Sequence, residues 1–202
     1  SLSMNAFNSL VGIKAHKGAK LFPGGMPVSF NRSHLTLLKR YNTNYMVTPK
    51  SDGERILLYV NDAGEIWIIY RNMKSLKLDV PPLSHTLKKM FPLVLDGEWL
   101  PRSDRGGTAN FIPFDALYVG GKSIEQKDYY KRLQILTKIV IDLLHKQNTP
   151  GVKFSMKKFE SCRATDCDIF KKVSSLLKSG HESPNDGIVF TPIFHKYVRG
   201  SW

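Results

Sequence analysis

The chain has 202 residues, 42% of them hydrophobic and 11% aromatic, and its thirty Lys and Arg against seventeen Asp and Glu give a formal charge of +13. That apolar content is enough for a real core and excludes wholesale disorder, while the length suits one domain. No apolar run approaches the ~18 residues of a transmembrane helix, and the charge excess points to polyanionic partners, whether nucleic acid, nucleotides or an anionic membrane surface.

Residues 1–25 are small, polar and glycine-rich and read as an N-terminal arm or loop, with the folded domain taken as 26–202. Residues 1–50 hold seven Lys and Arg and no acid; the first acid is Asp52. Asn31 or Ser33 can cap a short helix carrying Leu35, Leu38 and Tyr41 on one face. From Tyr45 the pattern turns to strands. Ile56, Leu58 and Val60 alternate, Asn61-Asp62-Ala63-Gly64 reads as a turn, and Ile66, Ile68 and Tyr70 complete a hairpin. Leu83, Leu87 and Met90 predict a short helix, and Leu93-Val94-Leu95 a strand running into Asp96-Gly97-Glu98. A polar loop over 102–107 precedes a strand from Phe111 to Val119, closed by Gly120-Gly121. The clearest helix spans 125–147, where Tyr129, Leu133, Leu136, Val140 and Leu143 recur at helical spacing. A strand over 152–159 follows. Thr165 or Asp166 then starts a helix with Ile169, Val173 and Leu176 on one face, ended by Gly180, before a last strand over 187–193. Strands and helices mix without regular βαβ alternation, which predicts an α+β fold with largely antiparallel sheets. Two cysteines, Cys162 and Cys167, cannot staple a chain of this size, and Cys-x4-Cys lacks the second pair that zinc requires. They read as structural thiols in a reducing compartment.

The chemistry gathers in three places. Lys50-Ser51-Asp52-Gly53-Glu54-Arg55 sets a lysine before a tight Asp-Gly turn, with an arginine two residues past the glycine. By average usage, Lys-x-Asp-Gly-x-Arg turns up in about one chain in several hundred. A lysine is a nucleophile only when neutral. Its free pKa is ~10.4, so burial, a neighbouring arginine or a divalent cation must depress it before the amine can attack phosphorus. Asp96-Gly97-Glu98 and Asp186-Gly187 each adjoin a hydrophobic strand. Alone each Asp-Gly is an ordinary turn, but carboxylates converging from strand ends can hold one hard cation such as Mg²⁺ together with phosphate oxygens and water. Phe114-Asp115, on a third strand, adds an aromatic face and another acid.

These segments resemble those of the covalent nucleotidyltransferases, the superfamily of mRNA capping guanylyltransferases and ATP- or NAD-dependent polynucleotide ligases. The Lys50–Arg55 stretch looks like its motif I, Asp96-Gly97-Glu98 like motif III, Phe111 to Leu117 like motif IIIa, and Asp186 to Phe190 like motif IV. They span residues 50–190 in the family's order and spacing. Two features resemble the capping branch: Phe22-Pro23-Gly24-Gly25-Met26-Pro27-Val28-Ser29 ahead of motif I, and Asp rather than Glu opening motif IV in Asp186-Gly187-Ile188-Val189-Phe190-Thr191-Pro192. Arg71-Asn72 is similar to a capping Asp-Arg-Asp/Asn stretch, with Tyr70 in place of the first acid. The chain stops at Arg199-Gly200-Ser201-Trp202, short of where the family continues into motif V and an OB-fold.

The resemblance implies the nucleotidyltransferase fold with mostly antiparallel sheets, and a two-step reaction. Lys50 attacks the α-phosphorus of GTP, and the lysyl-bound GMP then passes to the 5′-diphosphate end of RNA to give the GpppN cap. Residue by residue, it implies that Arg55 and Glu98 hold the ribose hydroxyls, Phe114 stacks on guanine with Phe111 as the alternative, and Arg71 meets phosphate. Lys196 would contact guanine or phosphate, and Glu98 and Asp186 would bind Mg²⁺ or Mn²⁺. The acid-free N-terminal segment would guide the RNA end. An RNA polymerase II tail is the implied partner of a cellular enzyme working in the nucleus; a viral one would work in the cytoplasm, and no membrane is implied. Two other readings stand beside this one. A ligase-type adenylyltransferase would form its adduct with ATP instead of GTP, and a non-catalytic RNA-binding module would form none.

Overall fold

The computed structural model describes residues 2–13, 22–26, 44–51, 53–102, 107–146, 151–157, 159–163, 185–193 and 195–201. The helices expected near 31–41 and over 165–180, and Cys167, lie outside the described residues. The chain opens with helix α1 (Leu2–Val11), then the short strand β1 (Gly25–Met26) and the longer β2 (Asn44–Ser51). A hairpin of β3 (Glu54–Val60) and β4 (Ile66–Tyr70) follows, then β5 (Ser75–Lys77) and a 3₁₀ turn at His85–Met90. Strands β6 (Leu93–Leu100), β7 (Ala109–Val119) and β8 (Lys122–Ser123) lead into helix α2 (Tyr129–Lys146). The last strands are β9 (Val152–Phe154), β10 (Glu160–Arg163), β11 (Asn185–Pro192) and β12 (Gly200–Ser201).

The strands form one large sheet in the order β5-β4-β3-β6-β7-β8, with β9 added parallel to β7, and two smaller ones, β10-β2-β11 and β1-β12. The ladders within β5 to β8 and within β10-β2-β11 are antiparallel; β1-β12, like β7-β9, is parallel. This is the α+β, mainly antiparallel arrangement that the irregular element pattern predicts.

The large sheet is covered on both faces. One face carries Ile56, Leu58, Ile68, Leu93, Leu95 and Phe111 against Leu133, Leu136, Val140 and Leu143 of α2. Asp128 Oδ1 accepts the backbone N–H of Lys131 at 2.9 Å and so caps that helix. The other face carries Leu57, Tyr59, Ile69 and Val94 against Phe7 and Val11 of α1. Residues 2–11 are therefore a docked helix and not the arm expected from composition. Met4, Phe7 and Val11 recur at helical spacing, and Phe7 is completely buried, its ring centroid 5.2 Å from that of Tyr59. The same docking explains β3. Alternation alone predicts a half-buried strand, yet Ile56 to Val60 are all at most 2% exposed because a helix closes each side. At roughly 1.5–3 kcal/mol per fully buried aliphatic or aromatic side chain, this strand is a major source of stability.

Gly97 shows what holds β6 tightly to β7. A Cβ there would lie 2.6 Å from the Ile112 carbonyl oxygen and 2.7 Å from Pro113 Cα, so only glycine permits the two backbones to meet between the acids. The β6/β7 ladder shifts register at this point and leaves Asp96 directly opposite Asp115.

Candidate active site

The polar ends of β2, β3, β6, β7 and β11 meet at one edge of the molecule. Lys50 stands near the end of β2. Antiparallel β11 pairs with it, Asn185 opposite Ser51 and Ile188 opposite Pro49, and the register breaks between those two pairs. The irregular segment Asp186-Gly187 thus lies alongside the Lys50 backbone, bringing together residues 136 positions apart in the chain. The side chains of Lys50 and Asp186 lie outside the described part of the structure.

Motif I is tied to motif III directly. The Gly53 N–H donates to Glu98 Oε2 at 3.3 Å, and Arg55 stands opposite Glu98 across the β3/β6 ladder. Glu98 Oε1 in turn lies 3.7 Å from Lys157 Nζ, with both side chains largely buried. Burial pushes the Lys157 amine below its ordinary pKa, while the nearby Glu98 carboxylate pulls the other way.

Arg55 is held from several sides. Its Nε donates to Asp96 Oδ1 at 2.8 Å and its Nη2 to Asp96 Oδ2 at 2.5 Å, while Nη1 donates to the Gly25 carbonyl. Its guanidinium carbon lies 5.3 Å from the Phe114 ring centroid and 5.9 Å from that of Phe22, between two aromatic faces. Burial disfavours the Arg55 charge, yet Asp96 outweighs it, so the guanidinium stays charged at any working pH. Asp96 is fully buried. A second pair lies beneath: Arg132 of α2 donates Nε and Nη2 to Asp115 Oδ1 and Oδ2, at 2.8 and 3.1 Å. Burial drives Asp115 up to about 6 despite this pairing.

The two aromatic candidates separate clearly. Phe111 is wholly buried and meets Phe154 edge to face at 6.3 Å, as a core residue does. Phe114 is half-buried and turns its ring to Arg55. Arg71 is exposed in the turn after β4; since Tyr70 stands opposite Ile56, it occupies the same end of the sheet as Arg55 and Glu98. Lys196 is exposed, and its neighbour Tyr197 is the residue that enters the charged cluster. Asp96, Lys157 and Tyr197 carry no assigned role in the sequence reading. Asp96 was visible as half of an Asp-x-Glu pair, but Lys157 looks like one more surface cation and Tyr197 lies in a segment with no motif of its own.

Among the described residues, no three His, Cys, Asp or Glu side chains form a ready-made metal cage. Mg²⁺ does not need such a cage, since it takes one or two carboxylates and completes its shell with phosphate oxygens and water.

The fold that carries these residues is similar to that of DNA ligases. A solved Chlorella virus DNA ligase–adenylate matches at TM-score 0.58 and 15% identity, covering 90% of this chain and 65% of the ligase. The family profile described as mRNA capping enzyme, catalytic domain, matches residues 3–202, and the chain belongs to that family. It is 31% identical over 205 residues to the mRNA-capping enzyme subunit alpha of Schizosaccharomyces pombe, covering 89% of this chain and 48% of the relative. It is 29% identical to the subunit of the same name from Yarrowia lipolytica, covering 89% and 49%. The chain thus spans about half the length of the curated relatives it matches.

Proposed function

We propose that this chain performs guanylyl transfer to RNA 5′ ends. In the first step Lys50 Nζ, having lost its proton, bonds to the α-phosphorus of GTP; the bond from that phosphorus to the bridging oxygen breaks and pyrophosphate leaves. In the second step a terminal oxygen of a 5′-diphosphate RNA attacks the same phosphorus. The P–N bond then breaks, Lys50 regains a proton and the GpppN end departs. Phosphoryl chemistry of this kind depends on positioning and charge neutralisation. In this reading Arg55 and Glu98 meet the ribose hydroxyls, Phe114 stacks on guanine and Arg71 meets phosphate. Lys196 approaches guanine or phosphate from its exposed position. Glu98 and Asp186 hold Mg²⁺, which supplies charge neutralisation at the phosphates when bound. Lys157, largely buried and beside Glu98, adds a cation to the same wall.

The observation that carries the proposal is the convergence itself. The β2/β11 register sets 186–187 beside Lys50, the β3/β6 register sets Arg55 opposite Glu98, and the short link from Ser51 to Glu54 joins the two sheets, so residues remote in sequence come together. Membership of the capping family supports GTP over ATP as donor. The reading also places the chain where mRNA is processed: the nucleus and an RNA polymerase II tail for a cellular enzyme, the cytoplasm for a viral one. The test is incubation with each of the four α-labelled nucleoside triphosphates and a divalent cation. Label retained from GTP and lost in Lys50→Ala, by at least about 10³-fold, is the expected outcome. Label from ATP alone would select the ligase-type reaction.

A further inference from the structure

The segment after β11 carries a contact that the guanylyl-transfer reading does not use. Tyr197 sends its hydroxyl into the Arg55–Asp96 pair: it donates to Asp96 Oδ2 at 2.5 Å and lies 3.4 Å from Arg55 Nη2. The same oxygen accepts the Gly25 N–H at 2.6 Å, and Arg55 Nη1 donates to the Gly25 carbonyl. The bonds close a ring that runs from Gly25 N–H to Tyr197, from Tyr197 to Asp96, from Arg55 to Asp96 and from Arg55 back to Gly25. Hydrogen bonds joined in a ring polarise one another and hold their members more firmly than isolated pairs do. Burial raises the Tyr197 phenol well above its ordinary pKa, with the Asp96 charge adding to the effect, so it remains a donor.

The ring also ties two remote pieces of chain together. Gly25 belongs to β1 and Tyr197 leads to β12, and β1 pairs with β12, Gly25 opposite Gly200. No larger residue fits at position 25, since a Cβ would lie 2.6 Å from the Val198 carbonyl oxygen. From below, the guanidinium carbon of Arg132 lies 5.5 Å from the Tyr197 ring, and Arg132 pairs with Asp115, which stands opposite Asp96. Tyr197 therefore touches both buried arginine–carboxylate pairs.

We propose that Tyr197 is a positioning residue of the nucleotide site, clamping the β1 and β12 segments over Arg55 so that the guanidinium presents its remaining Nη1 N–H to the nucleotide in a fixed direction. This rests on the reading of Arg55 as a nucleotide-binding residue. Arginine has five N–H donors; Nε and Nη1 each give one here and Nη2 gives one to Asp96 and one to Tyr197, so these contacts leave a single Nη1 N–H for a ligand. A donor already held in its bound direction loses less freedom when ligand arrives. Tyr197 thereby lowers the nucleotide concentration needed for reaction without touching the reacting atoms.

The test compares the full chain with Tyr197→Phe, which keeps the ring over Arg132 and removes the hydroxyl. With GTP as the probe, KM for lysyl-nucleotide formation is expected to rise about tenfold while the rate at saturating GTP stays within about threefold. Without nucleotide, the Arg55 Nε–H followed by nitrogen-15 NMR is expected to exchange with water about tenfold faster or more. A general loss of fold lowers the yield of adduct at saturation and leaves KM unchanged. Gly25→Ala, with the Tyr197 hydroxyl intact, is expected to raise KM in the same way by prising β1 from Val198. Wild-type KM together with wild-type Nε–H exchange in Tyr197→Phe overturns the proposal. Failure of the unmodified chain to form an adduct with GTP overturns the guanylyl-transfer reading instead, and the Nε–H exchange still decides the role of Tyr197.

Discussion

Strand β6 contains two regions of opposite character. Leu93, Val94 and Leu95 are fully buried, and so is Asp96 immediately after them. Burial is equal across that boundary, but it is made tolerable in different ways. The leucines and the valine pack among many apolar neighbours on α1, α2 and the adjoining strands, any one of which can shift a little. Asp96 depends on specific partners, Arg55 at 41 and Tyr197 at 101 residues' separation, each with defined geometry. The apolar half holds the sheet together. The polar half stores charge in a fixed arrangement at the edge where the lysine strand meets it. A carboxylate with no partner would be expensive there, so the arrangement persists only because every member is satisfied.

The comparison breaks most readily at its polar side. Asp96→Ala leaves the Arg55 guanidinium, only 11% exposed in its side chain, without its carboxylate. The expected loss is about 4 kcal/mol in chemical denaturation, with adduct formation abolished. The double change Asp96→Leu with Arg55→Met is expected to recover most of that stability and none of the activity, because buried ion pairs are often matched by apolar replacements of similar volume. If Asp96→Ala proves as stable as the parent, the two halves of β6 do not differ as argued. On the apolar side, Leu58→Ala is expected to cost roughly 3 kcal/mol through lost transfer energy and the cavity left behind. Its folded fraction should keep the parent's KM for GTP. A raised KM in this variant would show that the apolar half also tunes the site.

The same division explains what could be read before the structure was known. The hairpin β3–β4, strand β6 and helix α2 follow from periodicity because their partners are near in sequence or their pattern is strong. Motif order exposed Lys50, Arg55, Glu98 and Asp186 because short polar groups at strand ends interrupt an apolar pattern. The second face of the sheet escaped notice. Leu57 and Tyr59 look like the outward residues of a half-buried strand until α1 is placed over them, and α1 sits in a stretch whose composition suggests a loop. Tyr197 escaped for a different reason. Its hydroxyl meets Gly25 across 172 residues, and no local pattern encodes a contact of that range. Lys196, the cation beside it, is reached only through the family resemblance, which implies no role for the tyrosine that follows it.

The smallest expected effect concerns the lower arginine–carboxylate pair and its pH dependence. Burial raises Asp115 to about 6 in the folded chain, with Arg132 opposing and Asp96 reinforcing that shift, whereas an unfolded aspartate titrates near ~3.9. The folded state therefore binds the proton more readily than the unfolded one across that window. The associated stabilisation is fully present below the unfolded value and is lost as pH rises through the folded one. Most carboxylates in ion pairs act in the opposite sense and weaken a protein on acidification, so Asp115 should offset part of the ordinary acid destabilisation. Urea unfolding of the parent and of Asp115→Asn at intervals from pH 7 to pH 4 measures this. Asparagine removes the titration, and Arg132 loses its charge partner at every pH, so the variant is less stable throughout. The gap between the two curves should widen by about 2 kcal/mol as the pH falls, because only the parent gains from protonation. Parallel curves would mean that Asp115 stays ionised in the folded chain with Arg132 outweighing burial, and the lower pair would then act as a plain ion pair beneath Tyr197.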